Sequence, residues 1–192
     1  MSKWKKNNHS YEESALVYGI QIGEEKAFEA VYRLYFSKMC DLARYLIHES
    51  EVVEELAQDV FMKIWENRRQ WQPKGSIRSY LYRAIKNRSL DYLKHQKVEH
   101  NWLKLNWGLD ADHQESPHEH LVQTELEQQI EKWVQELPDK RKMVFLLSRT
   151  HGLTNKEIAE VLDISVNTVE TQMGRALKQL RGCLVKYLHY NY

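Results

Sequence analysis

Residues 153–181 have the sequence LTNKEIAEVLDISVNTVETQMGRALKQLR. Thr154 and Glu157 have the spacing of a capping box, which predicts that a short helix begins there. Asp163 lies at the predicted turn, where a left-handed backbone is required and where Asp is better tolerated than most residues. Ser165 can then cap a second helix by accepting a hydrogen bond from a backbone N–H near Thr168. Two short helices joined in this way predict a helix-turn-helix, which places its second helix in the DNA major groove.

The second helix of this unit has an apolar side and a polar side. The apolar stripe has helical spacing and comprises Val169, Met173, Ala176, Leu177, Leu180, Leu184 and Leu188. The other groups suit base edges and phosphates, and the candidate DNA-binding set is Ser165, Asn167, Thr168, Glu170, Thr171, Gln172, Arg175, Lys178 and Arg181. Gly174 either permits a close backbone contact or is simply tolerated, at a cost of about 1 kcal/mol relative to Ala. The alternative is a pair of amphipathic helices in an ordinary core, but caps, turn and polar face agree independently.

Positive charge is concentrated in the middle of the chain. The 192 residues carry a formal net charge of +1, so total charge indicates nothing about nucleic acid. Residues 61–100, however, contain ten Lys or Arg and only three acidic residues. Such a stretch in a neutral protein indicates a polyanionic partner, with a solvated basic face as the alternative.

Almost every segment outside the middle of the chain predicts helix, so the predicted fold class is all-α. Helices are predicted over about Glu12–Gln21, Glu24–Ile47, Glu51–Arg69 with Ser50 as cap, and from a Ser76 cap to about His95. The segment 96–121 is polar and aperiodic and predicts a flexible linker. It joins two small helical domains, residues 10–95 and 122–188, and the second is a four-helix domain containing the helix-turn-helix. The predicted core residues of the first domain include Phe28, Val31, Tyr32, Tyr35, Phe36, Met39, Val52, Leu56, Val60, Phe61, Ile64, Leu81, Ala84, Ile85 and Leu90.

No signal for catalysis, a metal or a cofactor is present in the sequence. His113, His118 and His120 lie near Asp110 and Asp112, but an aperiodic linker does not supply the rigid geometry that a metal site needs. There is no phosphate-binding Gly loop, no Gly-x-Ser-x-Gly and no His-Glu-x-x-His. A helical nucleic-acid enzyme would need carboxylates or His clustered on facing helices, whereas the acidic residues here fall mostly on outward faces. The protein is therefore predicted not to be an enzyme.

The sequence also predicts the compartment. No apolar run approaches the ~20 residues of a membrane span, and the beginning, MSKWKKNN, lacks the apolar core of a signal peptide. A cytoplasmic protein without membrane insertion is predicted. Cys40 and Cys183 are expected to be two buried, reduced thiols rather than a disulfide.

Two helices of the first domain carry candidate binding surfaces. Glu55, Gln58, Asp59 and Lys63 share a polar surface beside the apolar stripe of the third helix, which suits docking of a partner helix or is merely solvated. The fourth helix interleaves cations with aromatics, which can bind phosphates and stack on unpaired bases. Its candidate residues, with the preceding loop, are Lys74, Ser76, Arg78, Ser79, Tyr80, Arg83, Lys86, Asn87, Arg88 and Lys94. Tyr82 and Tyr92 can belong either to this face or to the core.

In this order, the segments resemble those of the extracytoplasmic-function (ECF) sigma factors of bacterial RNA polymerase, a subfamily of the sigma-70 family. AFEAVYRLY at 27–35 is similar to the opening helix of the family's first domain. EELAQDVFMKIW at 54–65 is similar to its polymerase-binding helix, and IRSYLYRAIKNRSLDYLK at 77–94 to its promoter-reading helix. Leu137-Pro138 and Gly152-Leu153-Thr154 match the punctuation of its second domain.

The resemblance implies a function and partners. It implies a sigma factor whose third helix binds the clamp helices of the largest subunit of core RNA polymerase. The fourth helix would read the minus-ten element, with Lys74, Ser76 and Ser79 near a pocket for a flipped base, and the helix-turn-helix would read the minus-thirty-five element. An anti-sigma factor is also implied. Glu170 is acidic where many relatives carry a base, which leaves base preference open.

The alternative function is a response-regulator-type helix-turn-helix transcriptional regulator. The output helix-turn-helix of that class is similar to residues 154–180. It would require an N-terminal receiver with alternating strands and helices, and residues 1–95 predict no strand.

Overall fold

The computed structural model describes residues 4–47, 49–107 and 125–191, with side chains described over 13–47, 49–97 and 125–189. This part of the chain contains no strand. Its helices are α1 (Trp4–Gln21), α2 (Glu25–Arg44), α3 (Ser50–Glu66), α4 (Ile77–Trp107), α5 (Glu125–Gln135), α6 (Asp139–Arg149), α7 (Asn155–Leu162) and α8 (Val166–Asn191), with a 3₁₀ helix at Arg68–Gln70. The predicted all-α fold class is confirmed. The chain divides into two units, residues 1–116 and 117–192.

The first unit is organised around α2, which packs against α1, α3 and α4. Val31, Met39 and Leu42 are buried on its inner face, and α4 meets them with Leu81 and Ile85. Full burial of an aliphatic side chain contributes about 1.5–3 kcal/mol relative to exposure. These helices therefore stabilise one another through a single core, and that core holds the outer faces of α3 and α4 in place.

The junction between α1 and α2 is tight. Gly23 has a φ of +85°, a conformation that glycine adopts without a steric penalty. Gly19 lies where the two helices cross, because a Cβ at this position would be only 2.7 Å from the Cβ of Ala27. Gln21 then ties the end of α1 to the loop before α4, since its Nε2 donates to the carbonyl of Trp71 at 2.9 Å.

The second unit is organised around α8, which packs against α5, α6 and α7. Val169 and Ala176 are fully buried on α8, against Leu147 of α6 and Ile158 of α7 in the same core. The predicted apolar stripe of α8 is thus fully buried at these two positions and half-buried at Met173 and Leu177. It emerges toward the end of the helix, where Leu188 is 45% exposed.

Several predicted helix boundaries are wrong. Ser50 is the first residue of α3 rather than its cap, because Glu49 occupies the cap position without a side-chain hydrogen bond. α2 ends at Arg44, since the next residues form a turn. α1 begins at Trp4, before the predicted Glu12. α4 continues to Trp107, well past the predicted end at His95 and into the predicted linker.

The rest of the predicted linker, with His113, His118 and His120, lies outside the described residues. The limits 10–95, 96–121 and 122–188 therefore remain predictions.

The predicted core also needs correction at three helices. α3 buries Val53 and Ala57, each next in sequence to the predicted Val52 and Leu56. One residue is a rotation of about 100° on a helix, and the two-sided packing of α3 against α2 and α4 sets that rotation. On α4, Leu90 is 47% exposed. The predicted core aromatics of α2, Phe28, Tyr32, Tyr35 and Phe36, are only half-buried.

Both cysteines are free. Cys40 is buried as predicted, whereas Cys183 is only half-buried. Burial raises the pKa of the Cys40 thiol, opposed in part by Arg44. A thiol with a raised pKa is a poor nucleophile, so Cys40 acts as a small apolar residue of the core.

Candidate nucleic-acid and partner interfaces

The helix-turn-helix forms with the predicted local chemistry. The Thr154 hydroxyl accepts from the Glu157 N–H at 3.3 Å, and the Thr154 N–H donates to Glu157 Oε2 at 2.9 Å, completing the capping box. Asp163 takes the left-handed conformation, with φ 56° and ψ 50°. Ser165 Oγ accepts from the Thr168 N–H at 3.1 Å, so its capping role is confirmed.

Hydrogen bonds occupy part of the polar face of α8. The hydroxyls of Ser165 and Thr168 lie 2.8 Å apart. Thr171 Oγ1 donates to the carbonyl of Asn167 at 2.9 Å, which leaves the hydroxyl oxygen as an acceptor. These hydroxyl groups stabilise the start of α8 through hydrogen bonds within the chain. They can contact DNA only through the hydrogen-bonding capacity that remains.

The remaining polar side chains of α8 point to solvent. The exposed members of the predicted set are Asn167, Glu170, Arg175, Lys178 and Arg181, and Gln172 is half-exposed. Gly174 is exposed as well, and a Cβ added there would meet nothing within 4 Å. The described residues therefore make no close contact that would require glycine at 174.

The predicted face of α4 divides into surface groups and structural groups. Arg83, Lys86, Arg88 and the other predicted cations, Lys74, Arg78 and Lys94, all lie at least partly exposed, as does Asn87. The face can therefore contact phosphates along its length. Tyr80 is half-buried because its ring packs edge-on against Trp71, with centroids 5.8 Å apart.

Two predicted members of this face have structural roles. Ser79 is only 2% exposed, so it cannot contact DNA in this conformation and is removed from the candidate set. Its N–H donates to Ser76 Oγ at 3.0 Å, which confirms Ser76 as the cap of α4. Tyr82 is fully buried, and burial raises the pKa of its phenol. It belongs to the core.

The polar surface of α3 borders an apolar groove that was not predicted, because the aromatic residues of α2 were assigned to the core. Glu55, Gln58 and Lys63 are exposed, and Asp59 is half-exposed. Beside them lies a groove of about 480 Å³, lined by Glu25, Phe28, Tyr32, Gln58, Phe61, Met62 and Trp65. A sequence signal for it exists, since aromatics recur along α2 at helical spacing, but that spacing also predicts a core. Because these rings pack against Phe61 and Trp65 near the surface, they form the floor of a groove instead.

An ion pair joins the predicted partner surface to the predicted DNA surface. Arg88 of α4 lies 3.8 Å from Asp59 of α3, with both side chains partly exposed. An exposed pair at this distance contributes at most about 1 kcal/mol. The two helices are held together by their apolar contacts and not by this pair.

A pocket of about 340 Å³ lies at the loop before α4. The loop contributes Gln72, Pro73 and Gly75, and α4 contributes Ile77. The opposite wall comes from α1 and consists of Glu13, Ser14, Val17, Tyr18 and Gln21. The sequence does not indicate that α1 forms a wall of this pocket, because the two segments are far apart in the chain.

Within the described residues, no group of three or more His, Cys, Asp or Glu is placed to hold a metal ion. Likewise, none of the helices in the described part of the chain is both long and apolar enough to cross a membrane.

Both units match known sequence families. The family described as "Sigma-70 region 2" matches residues 31–98. The family described as "Sigma-70, region 4" matches residues 127–180. The first match covers α3 and most of α4, and the second covers the helix-turn-helix.

Curated relatives match along most of their length. The RNA polymerase sigma factor YlaC of Bacillus subtilis is 26% identical over 161 residues, which span 83% of this chain and 93% of the relative. The ECF RNA polymerase sigma factor SigW of the same organism is 26% identical over 171 residues, spanning 84% of this chain and 91% of the relative.

Solved structures share the fold. CnrH, solved in complex with the cytosolic domain of CnrY, aligns with a TM-score of 0.63 at 20% identity, covering 91% of this chain and 98% of that one. The sigma factor RpoE of Bartonella quintana, solved with the anti-sigma factor NepR, also aligns with a TM-score of 0.63, at 17% identity, covering 83% of this chain and 97% of that one. Taken with the two family matches in their order along the chain, these similarities identify the protein: it belongs to the extracytoplasmic-function subfamily of the sigma-70 family and is an RNA polymerase sigma factor.

Proposed function

We propose that residues 10–95 bind core RNA polymerase and the minus-ten element, and that residues 122–188 bind the minus-thirty-five element. The observation that supports this division is that the first unit carries two different exposed surfaces. The polar face of α3 and the basic face of α4 point outward from one shared core. A single unit can therefore hold a protein partner and a DNA strand at the same time.

Core polymerase binds at α3. Glu55, Gln58, Asp59 and Lys63 form a polar rim, and the aromatic groove beside them supplies an apolar centre. Stable protein interfaces combine such a centre with such a rim. The exposed side chain of Met62, at 57%, suits this site because an unbranched thioether adapts to the surface of a partner.

The minus-ten element binds along α4. Lys74, Arg78, Arg83, Lys86, Arg88 and Lys94 contact phosphates, and Asn87 is available to a base edge. The pocket at the preceding loop takes a base that leaves the duplex. Support comes from its volume and from the Ser76 cap, which fixes the loop against the start of α4.

The minus-thirty-five element binds at α8. Arg175, Lys178 and Arg181 contact phosphates, whereas Asn167, Thr171 and Gln172 face base edges. Glu170 is exposed and can accept a hydrogen bond from the amino group of a cytosine. Because the Glu170 carboxylate repels nearby phosphates, it lowers the affinity of α8 for DNA. Promoter binding therefore depends on both units together.

The partner set and the compartment follow from this assignment. An anti-sigma factor that covers the polymerase-binding surface would hold the protein inactive, and a complex with an anti-sigma factor is the state in which RpoE of Bartonella quintana was solved. The protein acts on polymerase in the cytoplasm, by binding and positioning rather than by catalysis. The response-regulator alternative is rejected because the first unit, over its described residues, is built of helices without the strands of a receiver.

Transcription in vitro tests the proposal. Purified protein and core polymerase are mixed with a library of random promoters, and transcripts are sequenced. Initiation should start from a small set of sequences and should require both components. Binding of promoter DNA by the protein alone, with no association with core enzyme, would contradict the proposal.

A further inference from the structure

The pocket at the loop before α4 has a wall that lies outside both matched regions. Its α1 residues fall between Glu13 and Gln21, whereas the region 2 match begins at residue 31. The family match by itself therefore assigns no role to this wall.

The wall is held rigidly against the loop. Gln21 donates from Nε2 to the Trp71 carbonyl at 2.9 Å, which links the end of α1 to the loop in a partly buried hydrogen bond. Gly19 fits α1 against α2, where even a methyl group would approach Ala27 to 2.7 Å. A wall fixed on both sides is preorganised, so a ligand does not have to order it on binding.

The chemistry of the lining selects the class of ligand. None of the nine lining residues is Lys or Arg, and one of them, Glu13, is acidic. A phosphate is disfavoured in such a pocket, whereas a neutral planar base is not. Ser14, Gln21 and Gln72 carry the donor and acceptor types that pair with base edges. Lys74, exposed in the same loop, is available to the phosphates of the strand that carries the base.

Tyr18 is the aromatic residue of the lining. Its side chain is 63% exposed, so the ring is accessible to a ligand in the pocket. Ser14, Tyr18 and Gln21 recur at spacings of four and three on α1 and so share one face of the helix. Exposed rings on nucleic-acid-binding surfaces stack on unpaired bases, which is worth about 1–3 kcal/mol per base.

We propose that α1 closes this pocket around one unpaired base of the minus-ten element, with Tyr18 as the ring against which that base stacks. The inference rests on the proposed function of the first unit. It makes Tyr18 a DNA-contacting residue in a helix that the family matches leave out.

Fork-junction DNA with single abasic sites tests the inference. Wild-type holoenzyme is bound to forks in which one unpaired minus-ten position at a time lacks its base, and the position with the largest loss of affinity defines the base held by the pocket. Tyr18→Ala is then compared with wild type on the intact fork and on that abasic fork. The variant should bind the intact fork about 5- to 150-fold more weakly, the range for base–aromatic stacking. On the abasic fork it should bind as tightly as wild type.

Two variants serve as controls. Tyr18→Phe keeps the ring and should bind like wild type. Ile22→Ala removes an apolar side chain that is also 63% exposed, one helical turn further along and outside the lining, and it should change nothing. Equal binding of core polymerase by all variants shows that they fold.

The outcomes separate this inference from the proposed function. Equal losses for Tyr18→Ala on intact and abasic forks, or no loss on either, would overturn the role of Tyr18 while wild-type initiation continued to support the sigma-factor assignment. Failure of the wild-type holoenzyme to initiate from any promoter would instead overturn the proposed function itself.

Discussion

At the scale of single residues, glycine has opposite roles at two helical positions of this chain. Gly19 is required by the crossing of α1 and α2, whereas Gly174 on α8 has open space around it. Sequence alone assigns both the same penalty, because helix propensity depends only on the residue type. The difference lies in what a Cβ would meet.

Gly174→Ala is expected to stabilise the protein by about 1 kcal/mol, the difference in helix propensity between the two residues. Apart from its chain neighbours and the backbone of its own helix, no atom of the described residues lies within 4 Å of the added Cβ, so no packing cost opposes this gain. Chemical denaturation monitored by circular dichroism measures it. A decrease in stability would show that glycine has a structural role at 174, and weaker promoter binding by a more stable variant would show that DNA approaches the backbone there.

Gly19→Ala is expected to destabilise the protein by about 2 kcal/mol. A contact this short supports the upper end of the overpacking cost, about 3 kcal/mol, which exceeds the gain of about 1 kcal/mol in helix propensity. The new Cβ would lie 2.7 Å from Ala27 Cβ and 2.9 Å from Glu24 Oε2, and the first of these atoms cannot move without shifting α2. The same denaturation experiment applies, with Gly174→Ala as the matched control. Neutral or increased stability would contradict the close crossing of the two helices.

At the scale of elements, local side-chain chemistry decides where several helices begin. α7 spans only Asn155–Leu162. A helix this short is not stable in isolation and depends on its cap and on packing. The spacing of Thr154 and Glu157 predicts its capping box, which forms as predicted. The same kind of signal predicts a Ser50 cap for α3 and is wrong there, because the helix begins one residue earlier.

Thr154→Ala should lower the local stability of α7 by about 1 kcal/mol, because the substitution removes the hydroxyl that caps the helix. Native-state hydrogen exchange in the full chain measures this locally, and amides of α7 should exchange about fivefold faster. The exposed Thr150→Ala, at the end of α6, is the control and should leave α7 unchanged. Unchanged exchange in Thr154→Ala would mean that packing of Ile158 and Val161 alone sets the stability of α7.

At the scale of the whole molecule, substitutions in one unit should impair the binding function proposed for that unit and leave the function of the other unit intact. Gln58→Ala with Glu55→Ala should weaken association with core polymerase and leave the free energy of unfolding within about 0.5 kcal/mol of the wild-type value, because both side chains are exposed.

Arg175→Ala with Lys178→Ala should leave the association with core polymerase intact and lower promoter affinity. The slope of log affinity against log salt should fall by about one unit for each phosphate that the variant no longer binds.

Fluorescence anisotropy with labelled core enzyme and labelled promoter DNA measures both effects. Lys132→Ala with Lys140→Ala, on α5 and α6, also removes two exposed positive charges and controls for a general effect of lowering the charge of the second unit. If the α8 pair abolished association with core polymerase, or the α3 pair left it unchanged, the proposed division of roles would be wrong.

Local patterns predict much of this molecule because their physics is local. Capping boxes, the left-handed Asp163 and the apolar stripe of α8 depend on residues within a few positions of one another. The basic character of α4 is likewise a property of its own sequence. Predictions fail where several helices compete for one side chain. Val53 replaces Val52 in the core because α3 packs between two neighbours. Ser79, which was predicted on the DNA face, is buried.

The sequence by itself determined an all-helical chain with a helix-turn-helix and a basic fourth helix, because periodicity, caps and charge are encoded in neighbouring residues. Only the tertiary structure decided which aromatics of α2 form a groove rather than a core. It alone also brought Tyr18 to the loop before α4. Both results depend on contacts between segments far apart in the chain, and no local pattern encodes the distance between such segments.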